Sequence, residues 1–207
     1  MDGADFVETV RESNATALDR LGSDKALIAT TDAALERERV LEAAVAAEAR
    51  AAVTFESWAD DEADDRAREA FREAAARERD HHERVVALGD EAAADPPPDA
   101  LHEYLRGLEG TVERTAAGLV GRPLVASRSL LQVINFFVNE GDREAAETFR
   151  DLRAETDDQV AAGGDVVAAV CEDEAPAEAA ASQAIEAAYG EHVDSLEALG
   201  IDPKPVC

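Results

Sequence analysis

From Ala67 to Leu88 the chain repeats with the spacing of a helix face. Ala67, Phe71, Ala74, Glu78, His81, Val85 and Leu88 step by four and three, which places all seven on one side of one helix, the side that packs into a bundle. Five of the seven are apolar; Glu78 and His81, in "ERDHHER", interrupt the stripe. The preceding segment repeats the pattern. Leu41, Val45, Glu48, Ala52, Phe55 and Ala59 form its stripe, and Glu48 is the interruption. Two neighbouring helices therefore point carboxylates inward, and one adds an imidazole. A buried carboxylate without a partner costs several kcal/mol or shifts its pKa strongly, so something must compensate it.

The rest of the chain reads as helix too. Ala, Glu, Arg and Leu dominate, all good helix formers, and no long apolar/polar alternation marks a strand. Helices are expected at about 3–21, then a short one to about 32 behind Ser23 or Asp24, then at 35–61 and 65–89. Further helices are expected at 99–120, 123–139, 143–161 and 176–199. Asp64 and Asp142 are candidate caps. "DEAAADPPPDA" is the clearest break, because three prolines cannot continue a helix. "GLVGRP" and the pair Gly163–Gly164 are expected to end helices, and "GIDPKPVC" to form an irregular tail. The expected organisation is N-terminal helices over 1–34, a bundle over 35–162 that includes the crossover helix 99–120, and a C-terminal helix and tail over 163–207 packed on that bundle.

The formal net charge is −27 over 207 residues, spread along the chain. Nucleic acid is excluded as a partner, since phosphates need a basic footprint. No apolar run approaches the ~20 residues of a membrane span. The N-terminal "MDGADFVETVRES" reads as neither a signal peptide nor a basic transit peptide, and a cytoplasmic location is the expectation. Lys25 and Lys204 are the only lysines. An acidic, lysine-poor surface suits concentrated salt, where self-repulsion is screened, so a halophilic protein is expected. With Cys171 and Cys207 alone, there is no CxxC and no disulfide framework.

An internal echo organises the bundle. "EARAAVTFESWADDEADDRAREAFREAAARERDHH" from Glu48 aligns without a gap on "ASRSLLQVINFFVNEGDREAAETFRDLRAETDDQV" from Ala126, at an offset of 78 residues. Arg50, Glu62, Asp64, Ala67, Phe71 and Asp80 meet Arg128, Glu140, Asp142, Ala145, Phe149 and Asp158. Two helical hairpins joined by a long crossover, with an inward Glu on one helix and Glu-x-x-His on the next, resemble the ferritin-like carboxylate-bridged di-iron bundles, and among them the rubrerythrins. The resemblance spans roughly 35–162 and implies an all-α, ferritin-like four-helix bundle with extra helices at both ends. It implies Glu48, Glu78 and His81 as metal ligands, iron or another divalent ion as the cofactor, and a role in oxidative stress or iron handling.

The second hairpin departs from that pattern. Ala126, Thr156 and Gln159 stand where a second Glu and a second Glu-x-x-His would be. Glu155 and Asp158 lie one residue off the stripe of 145, 149, 152, 156 and 159 and are expected to face away. Two-metal reduction of peroxide or dioxygen is therefore not supported within one chain. The retained half carries two negative charges, enough for one divalent cation with water completing its shell. A homodimer would bring two half-sites together, and with no rubredoxin-like cysteine site any electron donor is external. The competing expectation is a metal-free bundle, a scaffold or interaction module, with the triad hydrogen-bonded internally and to Thr156 or Gln159.

The remaining candidates read as structural. His82 is expected on the surface and His192 as a satisfied core histidine beside Ile185, Tyr189 and Leu196. His102 has no partner pattern. Cys171 reads as a small buried hydrophobe, Phe136 and Phe137 as core or dimer surface, and Glu109 and Glu113 as crossover residues without a place near the site.

Overall fold

The computed structural model describes residues 2–89 and 96–204; among them the regular structure is helical, and no strand occurs. Three helices open the chain, α1 (Gly3–Ser13), α2 (Ala15–Leu21) and α3 (Ala26–Thr30). The first long hairpin is α4 (Arg37–Asp61) and α5 (Asp65–Val86). A crossover of α6 (Ala100–Arg106), α7 (Thr111–Ala116) and a π-turn (Ala117–Gly121) leads to the second, α8 (Arg122–Glu140) and α9 (Arg143–Val170). Helix α10 (Glu174–Ala198) closes the fold against the crossover, the π-turn and the N-terminal helices.

The two hairpins are built alike. Asp64 Oδ1 accepts the amides of Arg66 at 2.9 Å and Ala67 at 3.0 Å and so caps α5. Its echo Asp142 caps α9 through the Ala145 amide at 3.1 Å. Each cap satisfies helix-terminal amides that would otherwise lack a partner. The echoed pairs Ala67/Ala145 and Phe71/Phe149 are all fully buried. Phe71 packs among Phe55 and Trp58, and Phe149 stacks on Phe137 with centroids 5.5 Å apart.

Several boundaries differ from the sequence expectation. The first helix breaks at Asn14, whose side chain turns back to the Val10 carbonyl and across to Ser182 on α10. The helix expected over 99–120 is two helices interrupted at 107–110. "GLVGRP" does not end a helix. A π-turn carries the chain from α7 into α8, and Pro123 falls in the first turn of α8. Gly163 and Gly164 do not stop α9 either; it runs on to Val170. They serve close approach instead. A Cβ on Gly164 would sit 2.6 Å from the Gly3 carbonyl oxygen, and one on Gly163 would collide with the Leu119 carbonyl. The tail beyond Gly200 is irregular as far as it is described, and Lys25 Nζ donates to the Asp202 and Lys204 carbonyls. Cys207 and residues 90–95 of the proline-containing break lie outside the described residues.

The core is divided. One apolar cluster joins Phe55, Trp58 and Phe71 to α1, the crossover and α10. The other joins Val40, Leu41 and Val45 to Val85, Phe137 and Phe149. On α4, α5, α8 and α9 the residues between the two clusters are buried and polar: Glu48, Glu78, His81, Arg122, Thr156 and Gln159. That polar layer is the candidate site.

Candidate functional site

Glu48 on α4 and Glu78 and His81 on α5 are buried, at 5%, 1% and 1% exposure. The inward stripes bring all three together: a potential ligand atom from each lies within 4.8 Å of the others, a group that could hold a metal ion. His81 Nδ1 lies 3.8 Å from Glu48 Oε2.

A fourth residue, absent from the sequence expectation, occupies the layer. Arg122, the first residue of α8, is 4% exposed and clasps Glu78 with both ends of its guanidinium. Nη1 donates to Oε1 and Nη2 donates to Oε2 at 2.9 Å, while Nη2 stands 3.6 Å from Glu48 Oε2. A two-pronged arginine–carboxylate pair is among the stronger charge-assisted contacts. In the echo, Ala126 answers Glu48, and Arg122 lies one helical turn before Ala126. The guanidinium thus approaches the layer from the turn before the missing carboxylate. The sequence signal was there: Arg122 is the single charge in "AAGLVGRPLVA", and a charge in such a run is buried only with a partner.

His81 is engaged on its other side as well. Its Nε2 lies 2.9 Å from Glu155 Oε2, and Glu155 Oε1 accepts Arg84 Nη1 at 2.9 Å. Glu155 is half-buried and does not face away as expected; Asp158 is exposed and does. The long Glu155 side chain reaches back over His81 from just off the stripe. Neither Thr156 nor Gln159 partners the triad. The Thr156 hydroxyl donates to the Leu152 carbonyl at 2.8 Å, and both amide atoms of the buried Gln159 lack a partner among the described residues.

The titration behaviour follows from this geometry. Burial pushes Glu48 up, but the adjacent His81 and Glu78 side chains and the charge of Arg122 outweigh it and hold Glu48 at about 2. Burial, reinforced by the negative Glu48 and opposed by Arg122, lifts Glu78 to about 7. Burial alone would lower His81, yet Glu48, Glu78 and Glu155 together raise it. With all groups ionised, Glu48, Glu78 and Glu155 balance Arg122, Arg84 and His81.

A two-metal centre does not fit these residues, because the second hairpin supplies no carboxylate or imidazole ligand to the layer beyond the Glu155 that already bridges His81 and Arg84. A single ion is admitted by ligand spacing, but it would have to displace the guanidinium that already neutralises the same carboxylates.

The other candidates fall elsewhere. His102 does have a partner, since Asp99 caps α6 through the His102 amide at 2.8 Å and holds His102 Nδ1 at 2.7 Å. His192 is buried, but its Nε2 has no partner among the described residues, where a satisfied core histidine was expected. His82 is half-buried. Cys171 is half-buried, Phe137 is core, and Glu109 and Glu113 do not join the layer. No family model, no curated protein and no solved structure matches the chain.

Proposed function

We propose that this chain is a ferritin-like bundle, rubrerythrin-like in its first hairpin, in which Arg122 stands in for the metal, and that it acts by binding, as a scaffold or interaction module, and not by redox chemistry. The observation that carries this is the two-pronged Arg122–Glu78 pair. It gives the buried carboxylates a fixed counter-charge, which is the task a divalent ion would otherwise perform. The duplicated hairpins and the crossover support the bundle assignment. The ligand spacing of Glu48, Glu78 and His81 favours one alternative, a mononuclear site for iron or a similar ion, used in metal handling.

Elemental analysis separates the two. Protein purified without chelator in concentrated KCl is expected to hold no iron, manganese or zinc above background. A stoichiometric ion that disappears in His81→Ala would overturn the proposal and establish the metal site.

A further inference from the structure

Beside the polar layer lies a cavity of about 330 Å³, within the roughly 300–1,000 Å³ range of small-molecule sites. Its walls are mostly small and aliphatic: Val40, Ala44 and Ala47 from α4, Leu130 and Val133 from α8, and Ala188 from α10. Glu48 and Arg122 line it where it meets the ion cluster, and His102 and His192 line it from α6 and α10.

These two histidines are what the ion cluster leaves unexplained. Each is buried, at 3% and 6% exposure, and each has an Nε2 with no hydrogen-bond partner among the described residues. A buried imidazole nitrogen left unpaired keeps the cost of its lost hydration. For His102 the tautomer follows from its neighbour. Asp99 accepts at Nδ1, so the Nδ1 proton is fixed and the neutral ring presents a lone pair at Nε2. Burial also keeps His102 below its usual pKa, despite the pull of Asp99. The cationic side chains on the wall are already taken: Arg122 by Glu78 and Glu48, and Arg50 by Asp99 and the Pro97 carbonyl. Glu191 lines the cavity but is exposed.

We propose that this cavity binds an uncharged, largely apolar small molecule carrying a hydroxyl, which donates its hydrogen bond to His102 Nε2 while its hydrocarbon body fills the space between α4, α8 and α10. An anionic amphiphile is disfavoured, because among the described residues both arginines on the wall are already paired. The proposal deepens the binding role argued above by naming a ligand class. It rests on His102 and the cavity, whereas that role rests on Arg122 and metal content, so the two fail separately.

The test uses three probes on the full chain in concentrated KCl: 1-octanol, its isomer heptyl methyl ether, which accepts but cannot donate, and octanoate. Binding is followed by calorimetry and by the methyl NMR signals of Leu130 and Val133. The expected result is saturable octanol binding that shifts those methyls. The ether should bind about tenfold more weakly or worse, the cost of leaving one buried acceptor unpaired, and octanoate should bind no better than the ether. In His102→Phe, octanol and ether should bind alike. Ala126→Trp, on the cavity wall, should block all three probes in a protein whose circular dichroism stays helical. Absence of saturable binding by wild type would overturn the site, and equal affinities of alcohol and ether in wild type would overturn the role of His102.

Discussion

Arg122 and Glu78 are 44 residues apart in the chain and meet in a buried polar layer. Removing one partner of such a pair leaves an uncompensated charge. Arg122→Met is therefore expected to destabilise the fold by about 3–5 kcal/mol in chemical denaturation. Replacing Glu48 and Glu78 with Leu together with Arg122→Met removes the charges as a set and is expected to be close to neutral or stabilising. A triple variant as unstable as the single one would show that the charges are needed for more than mutual compensation. The same residues set the pH dependence. Glu78 sits near 7, above its ordinary 4.5, so the fold binds its proton more tightly than the unfolded chain does, and stability falls as pH rises from about 4.5 to about 7. His81 is raised as well, so its contribution is full below 6.5 and is lost as pH rises through its folded value, which has the same sign. Glu48 is held at about 2, so its contribution is lost as pH falls from 4.5 towards 2. Thermal unfolding against pH should peak near the ordinary carboxylate range, and Glu78→Gln should flatten the neutral-side slope. An unchanged slope in that variant would show that Glu78 does not titrate there. The inward triad was legible because three- and four-residue spacing is local. Its partners Arg122 and Glu155 were not, because which long side chain reaches a buried charge is decided by packing between distant helices.

The long helices with an apolar stripe, α4, α5, α8 and α9, match the sequence expectation over most of their length, and α5 and α9 begin at a capping Asp. The mismatches at glycines share one cause: local signals were overridden by close approach. Gly163 and Gly164 look like a helix stop, yet they occupy places where α9 meets the Leu119 backbone and α1. Gly164→Ala is expected to cost about 1–3 kcal/mol, in the range of overpacking, and to loosen α1, since the new methyl meets the Gly3 carbonyl. Hydrogen exchange should show faster exchange in α1 with α5 unaffected. A stabilised Gly164→Ala would mean that helix propensity, and not contact, governs the position. The π-turn is a similar case. It inserts a wider turn just before Arg122, beside the candidate site. Propensity does not reveal it, because Gly, Leu and Val are found in ordinary helices too.

At the scale of the molecule, two apolar clusters enclose one polar layer in a chain carrying a net charge of −27. With surface repulsion screened only by ions, the unfolding temperature is expected to rise as KCl is raised; indifference to salt would remove the halophilic expectation. The all-helical class was legible from composition and period. The division of the core was half legible, in Glu48, Glu78 and His81, and the cavity with two imidazole Nε2 atoms left unpaired among the described residues was not, because an empty space has no sequence signal. The central claim is that Arg122 fills the role of a metal ion. Titration of Co(II) into wild type and Arg122→Met, followed by visible absorption, tests it most directly. Wild type is expected to show no ligand-field bands and the variant a saturable site, where Glu48, Glu78 and His81 become free to ligate. Stoichiometric Co(II) binding by wild type, abolished in His81→Ala, would contradict it.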